Sequence, residues 1–295
     1  MESDVKMFQS SEGNVWKYVF DFGDAIAEAV LYQYDSFENR TVLCVSVQSG
    51  CPVGCIFCGT GKRFIRNLTP EEITYQIDYI LNDQSIYGSK VRKFQIMFMS
   101  MGEPFLNYDN VENVLLNSFE SNEFENVQLL ISTIGPNKNN ELRRFIEYSR
   151  FDPRVGLQFS IHKSSDEERN KIIPFKNKLT LNELRNYGVQ WWKETGRKPY
   201  CNYCIDGTNA ELSDFANLVD RFPPNVFCFT FSVICASDET MKSAAYRELC
   251  ILRNFEKKFK DYGYDTRIFD PAGQDDIGGG CGQLWYVQQW MKDKE

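Results

Sequence analysis

Six times along this 295-residue chain a short run rich in Val, Ile, Leu and Phe gives way to an amphipathic stretch, at intervals of roughly 25 to 30 residues. TVLCVSVQ (41–48), KFQIMFMSM (93–101), VQLLIST (127–133), VGLQFSIH (155–162), YCNYCI (200–205) and VFCFTFSVI (226–234) read as buried strands. PEEITYQIDYIL (70–81), YDNVENVLLNSF (108–119), NNELRRFIEY (139–148), SSDEERNKI (164–172), ELSDFANLVDRF (211–222) and residues 243–263 read as the helices between and after them. Pro70 suits a first helical turn, and SSDEERNKI opens on a Ser or Asp cap. Successive β-then-α units of this kind fold as a parallel sheet, either open and doubly wound or closed into a full or partial barrel. YDTRIF (264–269) reads as a final strand, and VWKYVFDF and AEAVLYQY ahead of residue 41 as a short β-rich lead-in. No linker divides the chain, so one core over 41–295 with an extension over 1–40 is expected.

Ligands of parallel α/β folds bind beyond the carboxyl ends of the strands. The first core strand runs directly into CPVGCIFCGTG (51–61), where Cys51, Cys55 and Cys58 have the spacing C-x3-C-x2-C. Gly50, Gly54, Gly59 and Gly61 let the backbone wrap closely around a bulky object. Three thiolates suit an iron–sulfur cluster with one iron left without a protein ligand, whereas zinc would want a fourth Cys or His nearby. Chance clustering of buried cysteines is the bland alternative. The chain holds ten cysteines, and its first residues lack the basic-then-apolar pattern of a secretion signal, which points to a reducing, cytoplasmic home. No stretch approaches the roughly 20 apolar residues of a membrane span.

The triplet resembles that of the radical S-adenosylmethionine (radical SAM) superfamily. That resemblance implies a partial (β/α)6 barrel, a [4Fe–4S] cluster on the three cysteines, and S-adenosyl-L-methionine chelating the open iron. Residues 41–73 around it, followed in order by FMSMGEPFLN (98–107), ISTIG (131–135), FSIHKSSDEERNKIIP (159–174), DGTNA (206–210) and GQDDIGGGCGQL (273–284), resemble the RlmN/Cfr-like adenosine methyltransferases. These methylate carbon 2 or carbon 8 of adenosine in RNA.

Read alone, Cys44 is a small buried hydrophobe, and Cys281, set among four glycines, sits in a mobile or tightly turned loop. The resemblance gives both a role: Cys281 accepts and carries the methyl group, and Cys44 resolves the covalent protein–substrate link by forming a disulfide with it. Glu28 resembles the family's base, although its spacing to Cys44 is longer by about three residues; a solvated strand-edge glutamate is the plain alternative. Gly102 and Glu103 resemble the contacts to the methionine end of the cofactor, and Ser132, Ser160, Ile161 and His162 match further contacts to it. The family's asparagine near the sixth strand is absent, with Cys235 or Ser232 nearest that place.

The resemblance implies RNA (rRNA or tRNA) as partner, together with an electron-donor protein, and the enzyme is expected to be a monomer. Two features pull the other way. The net charge is −8, and with only about 40 residues ahead of the core the family's accessory RNA-binding domain is expected to be missing. Basic residues do gather in GKRFIR (61–66), KVRK (90–93) and KIIPFKNK (171–178), which would grip RNA if they shared one rim. The same chemistry on a peptide, nucleotide or small heterocycle, and a non-catalytic iron–sulfur protein, are the other readings. Cys201 and Cys204 form a C-x2-C pair, but on a strand they would face opposite ways, which favours chance burial.

Overall fold

The computed structural model describes residues 3–233 and 249–269, with residues 277–280, 283, 284, 286, 289 and 292 of the C-terminal segment. Strands β1 (Asp4–Gln9), β2 (Val15–Asp21) and β3 (Ile26–Tyr34) form an antiparallel meander, and β4 (Arg40–Val45) pairs antiparallel with β3. The chain then makes a small two-stranded sheet from β5 (Gln48–Gly50) and β6 (Phe64–Asn67), which brackets the cysteine loop. From here the expected alternation holds. Helix α1 (Pro70–Asp83) leads to β7 (Phe94–Phe98), α2 (Tyr108–Asn117) to β8 (Val127–Thr133), and α3 (Asn139–Phe151) to β9 (Val155–Ser160). Helices α4 (Asp166–Ile172) and α5 (Leu181–Thr195) precede β10 (Tyr200–Ile205), α6 (Leu212–Arg221) precedes β11 (Cys228–Val233), and α7 (Leu249–Asp261) precedes β12 (Thr266–Ile268).

All but β5 and β6 join one sheet of ten strands in the order β1-β2-β3-β4-β7-β8-β9-β10-β11-β12, parallel from β4 onward. The sheet curls: the ring of Tyr32 in β3 lies 5.9 Å from that of Phe269, just past β12. The lead-in is therefore part of the wall. Side chains on the outer face pack under the helices in one large apolar core, and a second apolar cluster lies on the inner face, where Val30, Cys44 and Met97 meet Ile277 and Leu284.

Local chemistry explains the helix starts. Thr69 and Glu72 form a reciprocal capping box at α1, with Pro70 in the first turn. Helix α5 is an element that the alternating pattern does not anticipate, because SSDEERNKI already fills the place of the helix before β10. Its signals are present nonetheless: a Thr180–Glu183 capping box and buried Leu181, Leu184, Gly188 and Trp191 at helical spacing. Gly188 lies mid-helix because a Cβ there would sit 2.3 Å from the Phe227 ring. Among the described residues, no helix is long and apolar enough to cross a membrane.

Candidate active site

The cysteine loop sits beyond the carboxyl end of β4. Its closure depends on backbone: the Cys51 N–H donates to Arg63 O at 2.8 Å, and Ile56 N–H donates to Ile172 O at 3.0 Å. At Gly50, with φ +74°, a Cβ would lie 2.2 Å from the Arg63 carbonyl oxygen, so only glycine lets these two strands approach. Cys51, Cys55 and Cys58 are half-buried, and Val53, Ile134 and Ile173 pack about the loop.

Among the described residues, no three His, Cys, Asp or Glu side chains converge on one ion. A cluster spreads its irons, one thiolate to each, and three such thiols suit it. Burial pushes the Cys51 and Cys55 thiols up, so thiolates here require cationic partners. One such partner is the protein's own. Arg169 of α4 is fully buried and donates to Ile134 O at 2.6 Å and to Leu179 O at 2.8 Å. Its Nε is buried without a hydrogen-bond partner among the described residues, a donor left for an anionic group. The site fits a cluster. Arg169 escapes a sequence reading because in SSDEERNKI it looks like one more solvated helix charge.

Glu103 lies 3% exposed in the loop after β7, which ties the ends of β7 and β8 together. Its carboxylate accepts from Thr133 Oγ1 at 2.6 Å, the Ile134 N–H at 2.8 Å and the Phe105 N–H at 3.1 Å. Burial nevertheless pushes its pKa up to about 7 against those donors. Gly102 takes φ +100°, and a Cβ there would lie 2.6 Å from the Gln48 side chain. Neither residue is among those that line the internal cavity.

The cavity itself has a volume of about 300 Å³ and runs along the inside of the curled sheet. Cys44, Cys58, Ser132, Ser160 and His162 all line it. The Ser132 and Ser160 hydroxyls are 3.3 Å apart, and Gln158 Nε2 donates to Ser132 at 3.1 Å. His162 holds a left-handed backbone, φ +59°. Its Nδ1 accepts the Cys204 N–H at 3.3 Å, which leaves the proton on Nε2. Burial, helped by Arg169 and Lys163, holds its pKa down to about 3, so the ring is neutral at working pH. Ile161 contributes backbone only: its side chain is in the outer core and its N–H donates to Asn202 O at 3.0 Å. Ser232 and Asn202 also line the cavity near the place where the family's asparagine is missing, whereas Cys235 lies outside the described residues.

Glu28 is fully buried on β3, on the face that carries Val30 and Tyr32, and is not among the cavity-lining residues. Its carboxylate lies 3.5 Å from Lys17 Nζ and accepts the Tyr286 N–H at 2.8 Å. Lys17, equally buried, also reaches Gly278 O at 3.4 Å and lies 5.2 Å from the Tyr286 ring centroid. Burial raises the Glu28 carboxyl despite Lys17. Tyr32 donates to Gly279 O at 2.6 Å, and Thr60, two residues past the triplet, donates to Leu284 O at 2.8 Å. Cys281 lies outside the described residues, but Gly279, Gly280 and Leu284 on either side of it line the same cavity as Cys44 and Cys58.

Cys201 and Cys204 face opposite ways, as strand geometry requires. Cys201 is in the outer core, whereas the Cys204 sulfur is 2.9 Å from the Ser232 hydroxyl on the inside. The three basic stretches do not share one rim. GKRFIR and KIIPFKNK meet at the cysteine loop, where Gly54 faces Pro174, whereas KVRK precedes β7 at the opposite end of the strands. Ligand loops and parallel-strand starts lie at opposite poles of this fold, so residues 90–93 cannot join the other two.

A cysteine loop at the carboxyl end of a curled parallel sheet, above an internal cavity, is the class of site that radical-generating cofactors occupy, and residues 45–198 match the family model described as the Radical SAM superfamily. Similar curated proteins include two named "Probable dual-specificity RNA methyltransferase RlmN". The one from Finegoldia magna is 32% identical over 95% of this chain and 77% of its own length, and the one from Thermotoga petrophila 31% identical over 89% and 72%. A solved radical SAM methyltransferase from Sphaerobacter thermophilus superposes with a TM-score of 0.79 at 27% identity, covering 95% of this chain and 80% of its own. Streptococcus suis SuiB bound to S-adenosylmethionine shares the fold at a TM-score of 0.53 and 15% identity, over 78% of this chain and 46% of its own. The chain belongs to the radical SAM superfamily and, within it, to the RlmN/Cfr-like family. It is a radical SAM methyltransferase with a [4Fe–4S] cluster and S-adenosyl-L-methionine as cofactors.

Proposed function

We propose that the enzyme methylates carbon 2 or carbon 8 of adenosine in RNA, with Cys281 as the methyl carrier. One observation carries this reading: a single cavity is lined by Cys58 of the triplet, by Cys44, and by Gly280, the residue before Cys281. The names of the curated relatives supply the substrate class, an RNA.

When bound, the cluster and S-adenosylmethionine supply the methyl group and, after one-electron reduction by a donor protein, the means to remove a hydrogen from it. The residues do the rest. Cys51, Cys55 and Cys58 hold the cluster with Arg169 beneath them; Gly102 and Glu103, with Ser132, Ser160, Ile161 and His162, position the cofactor. Cys281 carries the methyl group and, once a hydrogen atom has been removed from it, becomes linked through the methylene to the adenine carbon; the unpaired electron left on the ring would return to the cluster. Glu28, the family's base by resemblance, would accept the proton from that carbon: it lies two residues from cavity-lining Val30 on the inward face of β3, and burial raises its carboxyl above the ordinary range. Cys44, as its thiolate, then attacks the Cys281 sulfur: the carbon–sulfur bond of the link breaks, its electron pair passes into the adenine ring and a proton completes the methyl group, leaving a disulfide that a thiol reductant must reopen.

The test is Cys44→Ala, prepared without oxygen in the presence of RNA, with the mass of the peptide that contains Cys281 as readout. A nucleotide attached to Cys281 is the expected result. A methyl group alone would keep the carrier chemistry and reject RNA. An unmodified Cys281 in a cluster-loaded enzyme would reject the mechanism.

A further inference from the structure

The end of the cavity remote from the cysteine loop has a character that the cofactor does not explain. Arg40 at the start of β4, Lys93 just before β7, and Arg267 in β12 all line it. They come from three strands, each at or near its amino-terminal end, and only the strand order brings them to one rim. The chain carries 41 acidic residues against 33 basic ones, yet among the described residues no carboxylate lies within ion-pair distance of any of these three. Neutral partners hold them instead. Arg40 Nε and Nη2 donate to Gln95 Oε1 at 3.3 and 3.1 Å, and its guanidinium lies 4.2 Å from the Tyr34 ring centroid. Arg267 donates to Thr230 Oγ1 at 2.7 Å and to Gln158 Oε1 at 3.3 Å, 3.8 Å from the Tyr200 ring centroid. Amide oxygens, a hydroxyl and ring faces fix guanidinium planes without neutralising them, so the charge stays available to a ligand. Partial desolvation of its stem, together with Arg40, Arg267 and Arg92, holds the Lys93 ammonium below its ordinary range although the residue as a whole is exposed, the mark of cations facing one another.

We infer that this rim binds a phosphate of the substrate, and that the target nucleotide enters from here, opposite the cofactor. The inference rests on the RNA reading above and sharpens it. Arg40 and Cys44 lie four residues apart on β4, about 13 Å at the rise of a strand. That backbone span is on the order of the length of one nucleotide from phosphate to base. A base drawn out of its stack and threaded from the rim would meet Cys44 while its phosphate rests on two guanidiniums and one ammonium.

The experiment uses cluster-loaded enzyme saturated with S-adenosylmethionine, with adenosine 5′-monophosphate and adenosine as calorimetric probes. Adenosine monophosphate should bind more tightly than adenosine. Lys93→Gln, at an exposed position where folding is not at stake, should cut that advantage about tenfold, and Lys93→Arg should restore it. Arg40→Gln, checked for an unchanged melting temperature, should act in the same sense. Equal binding of the two probes, or an advantage that survives both substitutions, would overturn the inference. The RNA reading is separated by a methylation assay on an adenosine-containing RNA. Methylation whose KM ignores Lys93→Gln rejects the rim and keeps the RNA. A rim that discriminates the probes in an enzyme methylating no RNA keeps the rim and rejects the RNA.

Discussion

The two ends of the cavity are built from opposite materials. At the cofactor end the work is done by backbone: Gly50 and Gly102 in left-handed conformations, a cysteine loop closed by main-chain hydrogen bonds, and thiols so buried that they ionise only against cationic partners. At the rim it is done by side chains, cations held in place by amides and rings. The contrast teaches how one barrel keeps radical chemistry apart from substrate capture. A backbone-built pocket is rigid and intolerant of change, as a reactive cofactor requires. A rim of long side chains can adapt to its ligand, and its attraction is screened by salt.

That contrast can be broken at several points. The largest effect is expected from Cys55→Ala, which should reduce iron content and reductive cleavage of S-adenosylmethionine to background while adenosine monophosphate still binds the rim. Calorimetry and an iron assay check it, and a rim affinity that fell with the cluster would merge the two ends into one device. Next, on the inner face of β2 and β3, Lys17→Met leaves Glu28 buried without its ion-pair partner and should cost about 3–5 kcal/mol in denaturant unfolding. Adding Glu28→Gln should recover part of that loss, because the pair is coupled. Gly50→Ala forces a Cβ against the Arg63 carbonyl at a positive φ and should cost about 3 kcal/mol, with a parallel loss of cluster.

The smallest effect is that of His162. Its folded pKa of about 3 lies below the unfolded 6.5, so its contribution to stability is complete above pH 6.5 and is lost as pH falls toward 3. Unfolding midpoints between pH 6.5 and 4.5 should fall less steeply in His162→Gln than in the wild type. Equal slopes would show that the ring is not held neutral.

How far the sequence foretells each region depends on whether its residues are neighbours in the chain. Cys51, Cys55 and Cys58 share one loop, and Ser132, Ser160 and His162 end strands whose pattern is plain, so the cofactor end is legible. Arg40, Lys93 and Arg267 are ordinary charges until strand order sets them side by side. Lys17 meets Glu28 only through the pairing of β2 with β3, which sets Lys17 opposite Val30. Helix α5 hides for a different reason: SSDEERNKI already fills the place of the helix before β10, so the alternation leaves no slot for a second one.

Lys17, Glu28, Tyr32 and Thr60 make their bonds to residues 278–286 across 224 to 261 positions of sequence. Contacts that distant close late, because the chain between them must first be ordered. During synthesis the inner face of β2 and β3 must therefore wait for nearly the whole polypeptide. A charged pair at the centre of that waiting face keeps it wetted, where an all-apolar strand would invite other nascent chains. Gly278 and Tyr286 gain these partners only when Lys17 and Glu28 give up water for them.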